Sequence, residues 1–200
     1  MSNLMDEPGT SDETEIPDLK LEVILDGQSD RGIPVVKFLD DIDSFSKSFT
    51  PPLQAELLIG AYSDLFSKFK SYEASLTQKR SHLQGKIPEL EKSISLIHYL
   101  KSHDDSEPLV TRYSLADAIF AKAELDTAEP KVNLWLGANV MLEYTYDEAI
   151  ALLDDKLSLA KKELNEVSLD LEFTRNQIIT SEVCISRVYN WDVRRKRMLL

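Results

Sequence analysis

Residues 153–188 read LDDKLSLAKKELNEVSLDLEFTRNQIITSEVCISRV. In this stretch Leu153, Leu157, Ala160, Leu164, Val167, Leu171, Thr174, Ile178, Ser181, Ile185 and Val188 succeed one another in alternating steps of four and three. A helix turns once in about 3.6 residues, so such spacing aligns the side chains along one narrow line, the seam of a coiled coil. A helix of a compact bundle carries a wider apolar face. Thr174 and Ser181 are polar interruptions in the line. Just upstream, Thr145-Tyr-Asp-Glu148 matches a capping box, in which Thr145 is the N-cap and Glu148 reaches back to it. A long helix is therefore expected over about residues 146–195.

An equivalent line lies earlier in the chain. It runs Leu58, Tyr62, Leu65, Phe69, Tyr72, Leu76, then Leu83, Ile87, Leu90, Ile94 and Ile97, inside a helix expected over about 52–101 and opened by Pro51-Pro52. The phase slips once near Leu83–Ile87, which changes supercoiling locally. Gly85 and Pro88 fall at the same place. An interior proline costs a helix about 3 kcal/mol, so a bend or irregular turn is expected at 85–88.

Between the helices the period changes. Leu109-Val-Thr-Arg-Tyr113 and Ala118-Ile-Phe-Ala-Lys-Ala123 read as strands, flanked by polar loops at 104–108 and 124–131. Val132, Leu134 and Leu136 alternate with Asn133 and Trp135; after a turn at Gly137-Ala138, Val140, Leu142 and Tyr144 alternate with Met141 and Glu143. This amounts to four strands in two hairpins across about 108–144. Isolated hairpins are marginal in water, and their edges present unpaired backbone groups. The expected fold class is α+β: two long helices folded back as an antiparallel coiled coil, with two β-hairpins at the closed end that require partners.

The rest of the sequence narrows the function. The 200 residues are 42% hydrophobic and 29% charged, with a formal charge of −12. That charge argues against a nucleic-acid binder, which must neutralise phosphates. No run approaches the roughly 18 apolar residues that span a bilayer, and the acidic N-terminus is unlike a basic presequence. Cys184 is the one cysteine, which suits a reducing compartment and a packing role. Residues 1–31, with nine acids and the single lysine Lys20 before Arg31, read as a disordered acidic tail. Gly32-Ile-Pro34 breaks the chain before Val36, Phe38, Leu39, Ile42 and Phe45, an apolar string too short to fold alone. Arg194, Arg195, Lys196 and Arg197 read as a solvated helix end, or else as a patch for an acidic partner.

The order of long helix, two hairpins and long helix resembles the alpha class of prefoldin subunits. Four blocks carry a similarity to the eukaryotic subunit 3 group within it: Gly32-Ile-Pro34 with Phe38 and Asp41-Ile-Asp-Ser-Phe45; Lys86-Ile-Pro-Glu-Leu90; Leu134-Trp-Leu-Gly-Ala-Asn-Val-Met-Leu-Glu-Tyr144 with Asp147-Glu-Ala149; and Val188-Tyr-Asn-Trp-Asp-Val193. The resemblance covers about residues 32–195. It implies a cytoplasmic chaperone subunit in a hexamer of two alpha-class and four beta-class chains, whose hairpins form a β-barrel platform. It also implies capture of unfolded actin and tubulin at the open helix tips, delivery to the cytosolic chaperonin, and no nucleotide, metal or other cofactor.

On that reading the tip candidates for client binding are Phe45, Phe49, Leu53 and Leu57 with Tyr189, Trp191, Met198 and Leu199. Tyr189 and Trp191 could instead close the coiled coil or staple residues 32–45 against it. The candidates for the subunit interface are Ile119, Phe120, Trp135, Leu136, Val140, Leu142 and Tyr144, with Trp135 foremost because aromatic residues are enriched in interface cores. A structural or tethering coiled coil is the alternative, although it would have no need of hairpins with open edges. An enzyme is not expected, because the helices and hairpins leave no residues from which to build a catalytic pocket.

Overall fold

The computed structural model describes residues 21–103, 109–125 and 129–198. In chain order these form a 3-10 turn (Leu21–Ile24), β1 (Leu25–Gln28), β2 (Pro34–Val36), α1 (Ile42–Lys47), α2 (Ala55–Ser102), β3 (Leu109–Ala116), β4 (Ile119–Leu125), β5 (Lys131–Gly137), β6 (Val140–Thr145) and α3 (Tyr146–Met198). Three two-stranded antiparallel sheets result, β1–β2, β3–β4 and β5–β6. The expected α+β order of two long helices around two hairpins is therefore present. The described residues fall into two compact units, one holding residues up to 74 and from 172 onward, the other residues 75–171.

In the first unit, α2 and α3 pack through Leu58, Ala61, Tyr62, Leu65 and Phe69 against Ile178, Cys184 and Val188. Glu56 pairs with Lys196 (3.2 Å) and Glu73 with Arg175 (2.9 Å), so the helices run antiparallel there. Thr174 and Ser181 are fully buried despite their hydroxyls. Ser181 meets that need locally by donating to the carbonyl of Gln177 at 2.8 Å. Such short polar side chains let the backbones approach without leaving an orphaned donor.

Residues 21–53 are built onto this unit. Ile24, Val36, Leu39, Ile42 and Leu53 are buried in the same cluster, with Phe45 and Phe49 partly buried against it. The disordered tail expected over 1–31 is thus corrected from residue 21 onward, while residues 1–20 lie outside the described part. The physical reason is that Ile24 finds a ready-made apolar seam on the helices, which its own segment could not supply. Asp41 caps α1, accepting from the backbone N–H of Asp43 and Ser44.

In the second unit α2 and α3 also run antiparallel, as the pairs Lys79–Glu163 (2.6 Å), Glu91–Lys161 (2.7 Å) and Lys101–Asp147 show. Leu83, Ala160 and Val167 form one buried cluster, and Ile94, Ile97, Tyr146, Ala149 and Leu153 another. α2 passes through Gly85 and Pro88 without interruption, so the irregular turn expected at 85–88 is absent. Leu83, Ile87 and Leu90 are held on α3 across the proline, and this packing offsets the one backbone bond it cannot donate. Tyr72, read as a seam residue, is instead 53% exposed; its phenol reaches water, which a leucine at the same place would avoid.

The capping box forms as expected. Glu148 accepts from the Thr145 N–H at 3.1 Å and from its hydroxyl at 2.8 Å, which holds the carboxyl below its ordinary range. α3 therefore starts directly at the end of β6.

Candidate binding surfaces

Both hairpins leave large apolar side chains exposed. Pairing of Leu109 with Leu125, Thr111 with Ala123 and Tyr113 with Ala121 puts these residues on one face of β3–β4. The partners Arg112 and Lys122 lie on the other face, with Val110 and Glu124. The largely apolar face is open: Tyr113 is 49% and Leu125 42% exposed. Ile119 and Phe120, the residues singled out from the sequence, are exposed as well. A bulge between Ser114 and Ala116 shifts the alternation, which placed Phe120 opposite Ser114 on the more polar face. Tyr113 and Leu125 were missed; the alternation of Leu109, Thr111 and Tyr113 with Ala121, Ala123 and Leu125 is the signal that marks them.

The β5–β6 hairpin is two-sided. Val132 and Tyr144, which face each other across the ladder, pack with Leu134 on the Ile94–Ile97–Leu153 cluster. Tyr144, a candidate interface residue, is thus partly occupied by its own chain. Trp135 pairs with Met141 on the opposite face, and both are more than half exposed. Leu136 and Val140 are exposed near them, and Leu142, which pairs with Leu134 on the helix-facing side, is exposed as well. A cavity of about 690 Å³ runs between this hairpin and the helices, flanked by Leu90, Leu134, Trp135, Leu136 and Leu159. The turn at Ala138-Asn139 has positive φ at both residues, the two-residue form whose twist suits a hairpin.

The candidate tip residues divide. Leu53 is buried, and Phe45, Phe49 and Trp191 are partly buried against the first unit's core. Leu57 is intermediate. Phe45 and Phe49 stack edge to face at 5.3 Å. Arg195 lies over the Trp191 ring at 4.7 Å and also reaches Asp192. Tyr189 and Met198 are exposed, while Leu199 lies outside the described residues. Trp191 therefore sits where it can close the helix end, and Tyr189 does not.

The backbone of residues 36–40 is held by helix side chains. The Val36 N–H donates to Gln177 Oε1 at 2.8 Å, and the Tyr62 hydroxyl donates to the Lys37 carbonyl at 2.8 Å. Arg187 Nη2 donates to the carbonyls of Leu39 (3.1 Å) and Asp40 (2.9 Å), and its guanidinium lies over the Phe38 ring at 4.7 Å. Burial pushes the Tyr62 hydroxyl well above its ordinary range, with the neighbouring Cys184 adding to it. Burial likewise raises the Cys184 thiol. Both stay protonated at neutral pH, as donors to carbonyls must. Sequence reading found none of Tyr62, Gln177 and Arg187 as contacts, since their partners lie up to 148 residues away.

Among the described residues no group of His, Cys, Asp and Glu is placed to hold a metal ion, and no helix is long and apolar enough to cross a membrane. Residues 69–191 match the family model for prefoldin subunits. The chain is 42% identical to prefoldin subunit 3 of Homo sapiens, covering 82% of this chain and 83% of the relative. It is 38% identical to prefoldin subunit 3 of Saccharomyces cerevisiae, covering 84% and 88%. Among solved structures, filamentous prefoldin from Methanocaldococcus jannaschii aligns at 15% identity with a TM-score of 0.47, over 58% of this chain and 93% of that one. The chain belongs to the prefoldin subunit family of chaperones.

Proposed function

We propose that this chain is one of two alpha-class subunits in a hexamer with four beta-class subunits, joined through β3–β4 and β5–β6. The observation that carries this reading is the pair of two-stranded sheets, neither hydrogen-bonded to the other, with Tyr113, Leu125, Trp135, Met141 and Leu142 open on them. Two-stranded ribbons are marginal alone, and apolar faces next to open edges favour strand addition by another chain. A tethering coiled coil would have no use for such hairpins.

The hexamer captures unfolded proteins, actin and tubulin foremost, in the cytosol and passes them to the chaperonin. Its mechanism is binding rather than chemistry: weak apolar contacts from several helix ends add through effective concentration, with no nucleotide. A native mass spectrum of the tagged chain, drawn from its own cells, tests the assembly. A complex of six small subunits with this chain present once is expected; a homodimer, or a complex with large unrelated proteins, would move the function to tethering. Release of bound unfolded actin to chaperonin, followed without ATP, tests the rest.

A further inference from the structure

We propose that residues 21–53 form a displaceable strap that occupies, within the chain itself, the groove in which this subunit holds an extended unfolded polypeptide. This rests on the capture reading above and adds where the client lies, which groups hold it, and what it must displace.

The strap is bound as a peptide is bound. Its own regular structure is slight: a 3-10 turn of four residues, two strands of four and three, and a helix of six. Elements that short do not persist unaided in water. Its order therefore derives from the α2–α3 seam, where Ile24, Val36, Leu39, Ile42 and Leu53 cover Leu58, Tyr62, Phe69, Ile178 and Val188.

The polar contacts are equally telling. Gln177, Tyr62 and Arg187 hydrogen-bond to backbone N–H and carbonyl groups of residues 36–40, and Arg187 also lies over the Phe38 ring. Backbone groups and scattered hydrophobes are what every unfolded chain offers, whatever its sequence. A groove that reads them is suited to many clients. The strap then competes with the client for the same donors, acceptor and apolar floor, and so raises the threshold for capture at this subunit.

The chain carries its own reporter. Cys184 is buried, and its thiol lies 3.9 Å from the Lys37 carbonyl of the strap. Lifting the strap uncovers it. In the reconstituted hexamer, pulses of maleimide are applied and modification of the Cys184 peptide is quantified by mass spectrometry. The complex is taken alone, with unfolded carboxymethylated lactalbumin, and with native lactalbumin. Pulses applied while the unfolded probe displaces the strap, before it fills the groove in the strap's place, should label Cys184 several-fold faster, and the native protein should not change the rate. A complex that takes up the unfolded probe with no interval of faster Cys184 labelling overturns the strap proposal and leaves capture standing. A complex that fails to hold the probe overturns the capture reading and this one with it. Leu39→Ser, which loosens the strap without touching the helices, should raise both unloaded labelling and probe retention. Faster labelling with unchanged or poorer retention would show that strap and client do not compete.

Discussion

Single residues carry local conflicts that the surrounding packing resolves, and two of them can be measured. Ala138 sits at φ 48° in the β5–β6 turn, where a β-carbon crowds the following carbonyl. Glycine removes that crowding, and Ala138 is exposed, so little packing goes with its methyl group. Ala138→Gly should stabilise the hairpin by about 1 kcal/mol, seen as slower hydrogen exchange of the β5 and β6 amides. Glu73 illustrates charge. Arg175, with Lys70, holds its carboxyl below the ordinary 4.5. A carboxylate whose folded pKa is depressed contributes stability above its unfolded pKa, and that contribution fades as pH falls through the folded value. Glu73→Gln should therefore cost about 0.2–1 kcal/mol at pH 7, the range of a solvent-accessible pair. The gap between variant and wild type should close as pH drops below about 4, as denaturant titrations at several pH values would reveal. Each effect rests on a single position or pair. The αL position at the turn and the 73–175 pairing were nonetheless invisible in sequence, because Asn-Gly was absent from the turn and Glu73 and Arg175 are separated by 102 positions.

At the scale of elements, periodicity made the helices legible and failed where a segment borrowed its order. The four-three seam of α3 is buried or half-buried at each of its positions from Leu153 to Val188, polar Thr174 and Ser181 included. The 85–88 turn was misjudged because an intrinsic helix cost was weighed without the partner helix that offsets it. That cost should still be present as stored instability: Pro88→Ala should raise the stability of the α2–α3 pair, by up to about 3 kcal/mol, as read from the denaturant midpoint. Residues 21–31 were misjudged for the converse reason. Their composition is that of a disordered tail, but fully buried Ile24, partly buried Leu25 and the β1–β2 pairing tie them down. Removing residues 1–20 should leave the thermal midpoint unchanged. Removing residues 1–30 takes away Ile24 and β1, and should cost about 2–4 kcal/mol, as for other large buried aliphatic side chains. Equal midpoints for the two truncations would show that Ile24 and β1 together contribute nothing.

At the scale of the whole molecule, the hairpins leave large apolar side chains such as Tyr113, Trp135 and Met141 exposed, as a subunit of an assembly would. Trp135 makes the point measurable. It is 57% exposed and lies on the strand face opposite Val132, Leu134 and Tyr144, which pack on the cluster of Ile94, Ile97 and Leu153. Trp135→Asp therefore removes little from the isolated chain, whose helical signal and stability should stay within about 0.5 kcal/mol of wild type, as is usual for surface changes. At a subunit interface the same change would bury an unpaired carboxylate, a penalty of several kcal/mol. Leu169→Asp supplies the control, since Leu169 is comparably exposed at 48% but lies on α3 away from the hairpins. Native mass spectra of the co-expressed subunits should show Leu169→Asp in the hexamer and Trp135→Asp excluded from it. Were both variants incorporated, the outer face of β5–β6 would not be an interface. Were both excluded, the helices themselves would have to contact other subunits, and assembly could not rest on the hairpins alone.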